Sequence, residues 1–113
     1  MQDGITLSQN GRTLEVRLCC EIDHHTARVI RDRIDKRLFE VRPVTLVLDF
    51  SGVRFMDSSG VGLIIGRCTV CDSMRASVRL TGLSGILYKL VRLSGVEKIK
   101  NLSILGDLTQ ERK

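Results

Sequence analysis

The chain has 113 residues, of which 42% are hydrophobic and 27% are charged, and its formal net charge is +5. This length predicts one domain that buries roughly two thirds of its unfolded surface, enough for a core without disulfides or a structural metal. The ordinary apolar fraction excludes intrinsic disorder. The longest apolar run, residues 61–66, is much shorter than the ~20 residues that cross a bilayer, and no signal peptide is recognisable. We therefore expect a cytoplasmic protein with no membrane partner.

The positive charge is concentrated between residues 58 and 92, where five basic residues oppose Asp72 alone. Surfaces that bind nucleic acid usually cluster such residues or add aromatic rings for stacking, and this chain has no Trp, one Tyr and three Phe. We therefore predict no nucleic-acid partner, and interpret the scattered charge as a surface that steers an acidic protein. The five residues are Arg67, Arg75, Arg79, Lys89 and Arg92.

The cysteines do not form a pattern typical of metal ligands. Two are adjacent, so on a strand they would point to opposite faces. The other two form a Cys-x-x-Cys pair without a second pair at matching spacing, and the pair His24-His25 is equally weak as a metal signal. We predict no metal and interpret the thiols as packing residues. They are Cys19, Cys20, Cys68 and Cys71.

The first 18 residues predict a β-hairpin. Apolar and polar residues alternate on both sides of Asn10-Gly11, a dipeptide typical of a type I′ turn. One face of each strand should therefore be buried. The inward residues would be Ile5, Leu7, Leu14, Val16 and Leu18.

A helix, a strand and a second helix follow. The segment Thr26–Val41 has apolar residues at intervals of three and four, which predicts an amphipathic helix with a charged outer face. The apolar run Thr45–Phe50 predicts a strand that is covered on both faces or central in a sheet. Helical spacing then recurs at Val61, Ile64, Ile65, Cys68 and Cys71.

The last third of the chain alternates again at Ser77–Thr81, which predicts a strand, and is then helical from Ser84 to about Leu93. Gly95 is placed to end this helix. Residues 99–108 predict one more short strand and a final helical turn or two. The inward positions of the helix would be Ile86, Leu87, Leu90 and Val91. The order β-β-α-β-α-β-α with a short C-terminal tail is that of a small α/β domain.

The segment most informative about function is residues 55–62, Phe-Met-Asp-Ser-Ser-Gly-Val-Gly, between the apolar strand and the second helix. Asp57 or Ser58 is a natural N-cap, so the serines lie at the helix entrance. Free backbone N–H groups and the helix dipole favour an anion there, such as a phosphate. The same residues also fit a plain helix cap with no further function.

Three glycines within this helix need a reason, because each costs about 1 kcal/mol relative to alanine in a helix interior. Gly62 and Gly66 share one face, so they form a flat strip that another backbone could approach, whereas Gly60 precedes them. The alternative is close packing of the helix on its own sheet. The glycine spacing is not that of a dinucleotide-binding loop.

The local string Met-Asp-Ser-Ser-Gly does not match the Gly-x-Ser-x-Gly elbow of hydrolases, and only His24 and His25 could serve as a base. No glycine-rich phosphate loop and no acidic metal cluster are recognisable either. We therefore predict that the chain is not an enzyme.

Three segments together resemble the anti-sigma factor antagonists of the STAS family. Residues 21–27, Glu-Ile-Asp-His-His-Thr-Ala, are similar to the loop before the family's first helix, residues 55–67 to its phosphorylation segment and residues 93–99 to its late helix end. The likeness spans nearly the whole chain, and the His-His-Thr-Ala loop narrows it to the sporulation branch. Cys20 departs from the pattern, since the family commonly has glycine there.

The resemblance implies a single STAS domain, residues 1–113, with an α/β fold: a mixed β-sheet of four to five strands flanked by helices. It implies that the anti-sigma F factor, a serine kinase that uses ATP, phosphorylates Ser58. The unphosphorylated chain would bind this kinase in its ADP-loaded or ATP-loaded form and release sigma F, a serine phosphatase would restore it, and the chain would need no cofactor. The implied partner-binding residues are Asp23, His24, His25, Asp57, Ser59, Gly60, Val61, Gly62, Ser94 and Gly95.

Phosphorylation of Ser58 would add about −1.5 to −2 charges at the helix entrance. If Asp23 and Asp57 lie close by, the new charge should repel the partner while the helix dipole preserves the fold, so the switch would act at the interface. The alternative function is a stressosome-type or transporter-associated STAS module that binds a scaffold or a nucleotide, and weak nucleotide binding stays open.

Overall fold

A computed structural model describes residues 4–105 and has the predicted order of elements. Five strands and three α-helices follow one another, and the fifth strand gives the higher of the two expected strand numbers. The predicted helical turn after that strand lies outside the described residues. The elements are β1 Ile5–Asn10, β2 Thr13–Leu18, α1 His24–Val41, β3 Thr45–Asp49, α2 Ser58–Ser73, β4 Ser77–Thr81, α3 Gly85–Leu93, a 3-10 turn Val96–Lys98, and β5 Leu102–Ile104.

The strands form one mixed sheet in the order β1-β2-β3-β4-β5, with β1 antiparallel to β2 and all other pairs parallel. The central position of β3 explains its apolar sequence. Because parallel crossovers are right-handed and each moves one strand along the sheet, α1, α2 and α3 all lie on the same face. The alternation on β2 agrees, since Leu14 and Val16 are buried and Glu15 and Arg17 are exposed.

The hairpin turn differs from the type I′ turn expected at Asn10-Gly11. Asn10 pairs with Thr13, so the two loop residues are Gly11 and Arg12. Gly11 has φ +63°, and Arg12 is not among the residues with positive φ. Glycine at the first loop position with a positive φ at that residue alone is the pattern of a type II′ turn.

The core lies between the sheet and the helices. α1 contributes the predicted residues Ile30, Ile34 and Leu38, which are at most 1% exposed. Each such aliphatic side chain contributes about 1.5–3 kcal/mol through burial. One predicted inward residue is wrong, since Ile86 is 79% exposed; Ile65, within the helical spacing of α2, is 43% exposed.

Within residues 4–105, none of the helices combines the length and apolarity that crossing a membrane requires.

Candidate functional site

Two loops at the carboxyl edge of the sheet are joined by backbone hydrogen bonds. The N–H of Ile22, in the loop after β2, donates to the carbonyl of Phe55 at 3.0 Å, and the N–H of Asp57 donates to the carbonyl of Ile22 at 3.1 Å. Ile22 and Met56 thereby form an isolated parallel bridge, and both side chains are buried. The bridge holds Asp23 and Asp57 beside each other, as the proposed switch requires.

Asp23 is the N-cap of α1 and forms a capping box with Thr26. Its Oδ1 accepts the backbone N–H of Thr26 at 2.9 Å, and the Thr26 hydroxyl oxygen accepts the backbone N–H of Asp23 at 2.9 Å. The hydrogen bond from the Thr26 backbone is the largest cause that lowers the pKa of Asp23. Asp23 is therefore a fixed negative charge at neutral pH.

Asp57 rather than Ser58 is the N-cap of α2, because its Oδ1 accepts the backbone N–H of Ser59 at 2.8 Å. Ser58 is thus the first residue of the helix and is exposed. None of the side-chain hydrogen bonds described for residues 4–105 uses its hydroxyl group, so Ser58 is accessible and has no described structural role.

The next residues point in different directions. Ser59 is half-buried beside α1, whereas Gly60 is buried, and Val61 is 8% exposed. A Cβ atom on Gly60 would collide with the Met56 side chain, so a larger residue there would force Met56 to move. Because both residues are buried, the prediction that Gly60 and Val61 contact a partner is wrong. They pack beneath the exposed surface around Ser58.

The glycine strip opens onto a groove between α1 and α2, with a cavity of about 410 Å³. A Cβ atom on Gly62 or Gly66 would meet no other atom within 4 Å. Gly60 is thus packed closely, but against Met56 in the loop before α2 and not against the sheet, and the close-packing explanation does not hold for Gly62 and Gly66. The groove is lined by His24, Ala27, Arg28, Arg31, Ser59, Gly62, Leu63, Gly66 and Arg67.

Arg28 and Arg31 are groove residues that the sequence reasoning left on the solvated face of the first helix. The available signal was their spacing: they lie four and seven residues after His24, on the same helix face. Phe55 was also missed as a surface residue, although it is 52% exposed in the loop before Ser58. An exposed aromatic ring beside the serine is well placed to contact a partner.

Arg67 does not belong to an exposed basic surface, contrary to the prediction. It is 4% exposed, and its Nε lies 2.9 Å from Oδ1 of Asp35 on α1. Burial lowers the pKa of Arg67 and raises the pKa of Asp35, while their mutual attraction opposes both shifts. We interpret the contact as an ion pair that joins α1 to α2.

The remaining predicted residues do not all converge on one surface. His25 is exposed on the first turn of α1, outside the groove lining. The hydrogen bonds described for Ser94 and Gly95 stay within α3 and the following 3-10 turn, on the segment that leads to the amino end of β5. The structure therefore does not join Ser94 and Gly95 to the Ser58 loop, and Gly95, with φ +80°, ends α3 as predicted.

The thiols fall into two groups. Cys68 and Cys71 are buried, as the packing interpretation predicts, and burial raises the pKa of Cys68 to about 11 and of Cys71 to about 12. Cys19 is exposed, so it is not a packing residue, and Cys20 is half-buried. Burial is also the largest cause that raises the pKa of Cys20.

Comparison with known proteins agrees with the fold. The STAS domain model matches residues 4–104. The anti-sigma F factor antagonist of Lysinibacillus sphaericus is 34% identical over 84 residues, which are 74% of this chain and 72% of the relative. The anti-sigma factor antagonist SpoIIAA in its unphosphorylated form superposes with a TM-score of 0.76 at 29% identity, covering 96% of this chain and 94% of that one.

SpoIIAA of Bacillus has also been solved in its phosphorylated form, and that structure matches this chain with a TM-score of 0.68 at 29% identity, over 96% of this chain and 97% of the other. The chain therefore belongs to the STAS family of anti-sigma factor antagonists.

Proposed function

We propose that this chain is a phosphorylation-controlled antagonist of the sporulation branch, which binds the anti-sigma F factor through the surface around Asp23, Asp57 and Ser58. In its unphosphorylated form it binds that serine kinase, loaded with ADP or ATP, and releases sigma F. A serine phosphatase restores the phosphorylated chain. The chain is a substrate and ligand of other enzymes and works without a cofactor of its own, in the cytoplasm.

The observation that carries the proposal is the position of Ser58. It is exposed on the first turn of α2, while Asp57 caps the helix and the Asp23 loop is hydrogen-bonded alongside. The cap needs Asp57 and not Ser58, so the serine hydroxyl is available to a kinase. The existence of unphosphorylated and phosphorylated structures of SpoIIAA, both similar to this chain, supports a switch of this kind.

Electrostatics explain how the switch would act. Phosphorylation adds about −1.5 to −2 charges to Ser58. The helix dipole at the N-terminus of α2 stabilises this charge, so the fold is retained. Together with the acidic residues Asp23 and Asp57, the phosphate makes this surface strongly negative, which repels a partner surface that accommodates a neutral serine.

The direct test is to incubate the purified chain with the cognate anti-sigma F factor and ATP, and to locate the phosphoryl group by mass spectrometry of peptides. We expect modification at Ser58 in the wild type and in Ser59→Ala, and none in Ser58→Ala. Phosphorylation at another residue, or no complex between the two unmodified proteins, would contradict the proposal.

A further inference from the structure

The groove between α1 and α2 has a positive charge that the fold neutralises only in part. Arg28 and Arg31 are both exposed on its α1 wall. No hydrogen bond or ion pair is described for Arg28 within residues 4–105. Arg31 pairs with the exposed Asp32 at 3.0 Å and also attracts Asp35, but exposed pairs such as Arg31–Asp32 are weak. The third arginine, Arg67, is paired with Asp35 and closes the inner end of the groove.

The α2 wall of the groove is open to a close approach. Gly62 and Gly66 lie one turn apart, and each leaves empty the space that a side chain would fill. Glycine weakens a helix interior relative to alanine, and at Gly60 this cost is offset by packing on Met56. At Gly62 and Gly66 no described atom of the chain makes use of the space, so the open wall suits a backbone from outside the chain.

The groove is continuous with the Ser58 surface. Its outer end is formed by His24, which directly follows the Asp23 cap, and by Ser59, which lies two residues after the Asp57 cap. From Ser59 to Arg67 the helix α2 rises about 12 Å, which is about two turns. An occupant of the groove would therefore also lie next to Ser58.

We infer that the groove binds an acidic helix of the anti-sigma factor, which lays its backbone against Gly62 and Gly66 and presents carboxylates to Arg28 and Arg31. This inference rests on the proposed function and assigns a second part of the same interface. Charge complementarity selects an acidic occupant, and the glycine wall selects a helix that packs closely. The groove orients the partner, and Ser58 at its outer end switches the contact.

Charge reversal tests the electrostatic part. Arg28→Glu should weaken binding to the cognate anti-sigma factor by about tenfold or more and reduce the dependence of affinity on salt. Lys36→Glu is the matched control, because it makes the same change at an exposed position of the same helix outside the groove lining. It should bind like the wild type.

Glycine replacement tests the packing part, with opposite effects on stability and binding. Gly66→Ala should raise the melting temperature, since alanine favours the helix and its Cβ fits, yet it should weaken binding about tenfold by blocking the close approach. Gly85→Ala, at another helical glycine with open space and outside the groove, should not weaken binding. A more stable variant that binds worse has not lost affinity by misfolding.

Three outcomes would overturn the inference. If Arg28→Glu and Gly66→Ala bind the anti-sigma factor with wild-type affinity, the groove inference is wrong and the proposed function remains intact. If the wild-type chain does not bind the anti-sigma factor, both the inference and the proposed function are wrong. The third outcome is that the groove has another occupant. In that case ATP binding, measured by calorimetry, or self-association, measured by analytical ultracentrifugation, is lost in these variants while their binding to the anti-sigma factor is unchanged.

Discussion

At the residue scale, Asp57 caps α2 and Ser58 is the proposed phosphorylation site. A single serine at a helix entrance often has both roles. Asp57 satisfies the free N–H of Ser59, so substitution of Ser58 leaves the cap in place. The serine is therefore a position where charge can change without loss of the helix. This separation makes simple variants informative.

We predict that Ser58→Ala binds the anti-sigma factor like the unmodified wild type, and that Ser58→Asp folds but binds at least about tenfold more weakly. The reason is that aspartate places a negative charge next to Asp57 and the Asp23 loop without altering the cap. Calorimetric titration of both variants checks this. Ser84→Asp is the control, because it makes the same change at another exposed helix entrance outside the groove lining. Equal affinities of Ser58→Asp and wild type would exclude the electrostatic switch.

The four thiols should differ in reactivity. Cys19 is exposed, whereas Cys68 and Cys71 are buried with pKa values of about 11 and about 12. Iodoacetamide at pH 8 should therefore modify Cys19 in the native chain and reach Cys68 and Cys71 only after unfolding. Mass spectrometry with and without urea measures this, and rapid native alkylation of Cys71 would contradict the packing.

The buried thiols of Cys68 and Cys71 also predict how stability depends on pH. Their pKa values are raised above the ordinary value of 9.0, so the folded chain holds these protons in a range where the unfolded chain loses them. The free energy of unfolding should therefore fall as pH rises from about 9 toward 11. Chemical denaturation across this range should show less of this fall in Cys68→Ala/Cys71→Ala than in the wild type.

At the element scale, α1 and α2 are held together at the inner end of the groove by Asp35 and Arg67. The arginine is 4% exposed and the Asp35 side chain 26% exposed, so the pair is only partly shielded from water. Removing one partner of a buried pair leaves the other charge uncompensated, which costs more than the net contribution of the pair. The pair therefore joins the two helices that form the groove walls.

We predict that Asp35→Asn lowers the free energy of unfolding by about 1–3 kcal/mol, less than for a fully buried pair because Asp35 retains contact with water. Asp35→Leu/Arg67→Met should cost less than the single change, since it buries no unpaired charge. The control is Asp32→Asn, whose exposed pair with Arg31 contributes about 0–1 kcal/mol. Urea denaturation measures all three, and a cost for Asp35→Asn no larger than the control would show that the pair is weak.

At the scale of the whole molecule, the three helices cover one face of the sheet and the switch surface occupies one edge. The carboxyl ends of β2 and β3 meet at that edge, and the Ile22–Met56 bridge locks their loops. Ser58 therefore lies on the rim of a rigid core. A charge added there has little reason to disturb the packing between sheet and helices.

We predict that the phosphorylated chain keeps its far-UV circular dichroism and melts within a few degrees of the unmodified chain, because the helix N-terminus stabilises the phosphate. Binding to the anti-sigma factor should be lost under the same conditions. Hydrogen exchange of the β3 amides provides a control for the core. Loss of hydrogen-exchange protection across the sheet on phosphorylation would contradict the interface switch and indicate a switch that acts by refolding.

The sequence by itself determined the elements and their order, because periodicity and capping depend on residues within a few positions of each other. Asp57 at the entrance of α2, the apolar β3 and Gly95 after α3 are such local features. The turn at Gly11-Arg12 shows where the local rule was too coarse, since a shift of one residue in pairing changes the turn type.

Only the tertiary structure decided which side chains share a surface. It buried Arg67 against Asp35, opened Gly62 and Gly66 onto a groove lined by Arg28, and kept Ser94 away from the Ser58 loop. The physical reason is that burial and charge pairing arise between elements distant in sequence. Helical periodicity shows that α2 has an inner and an outer face. The neutralisation of Arg67 by Asp35, however, required α1 to pack alongside α2.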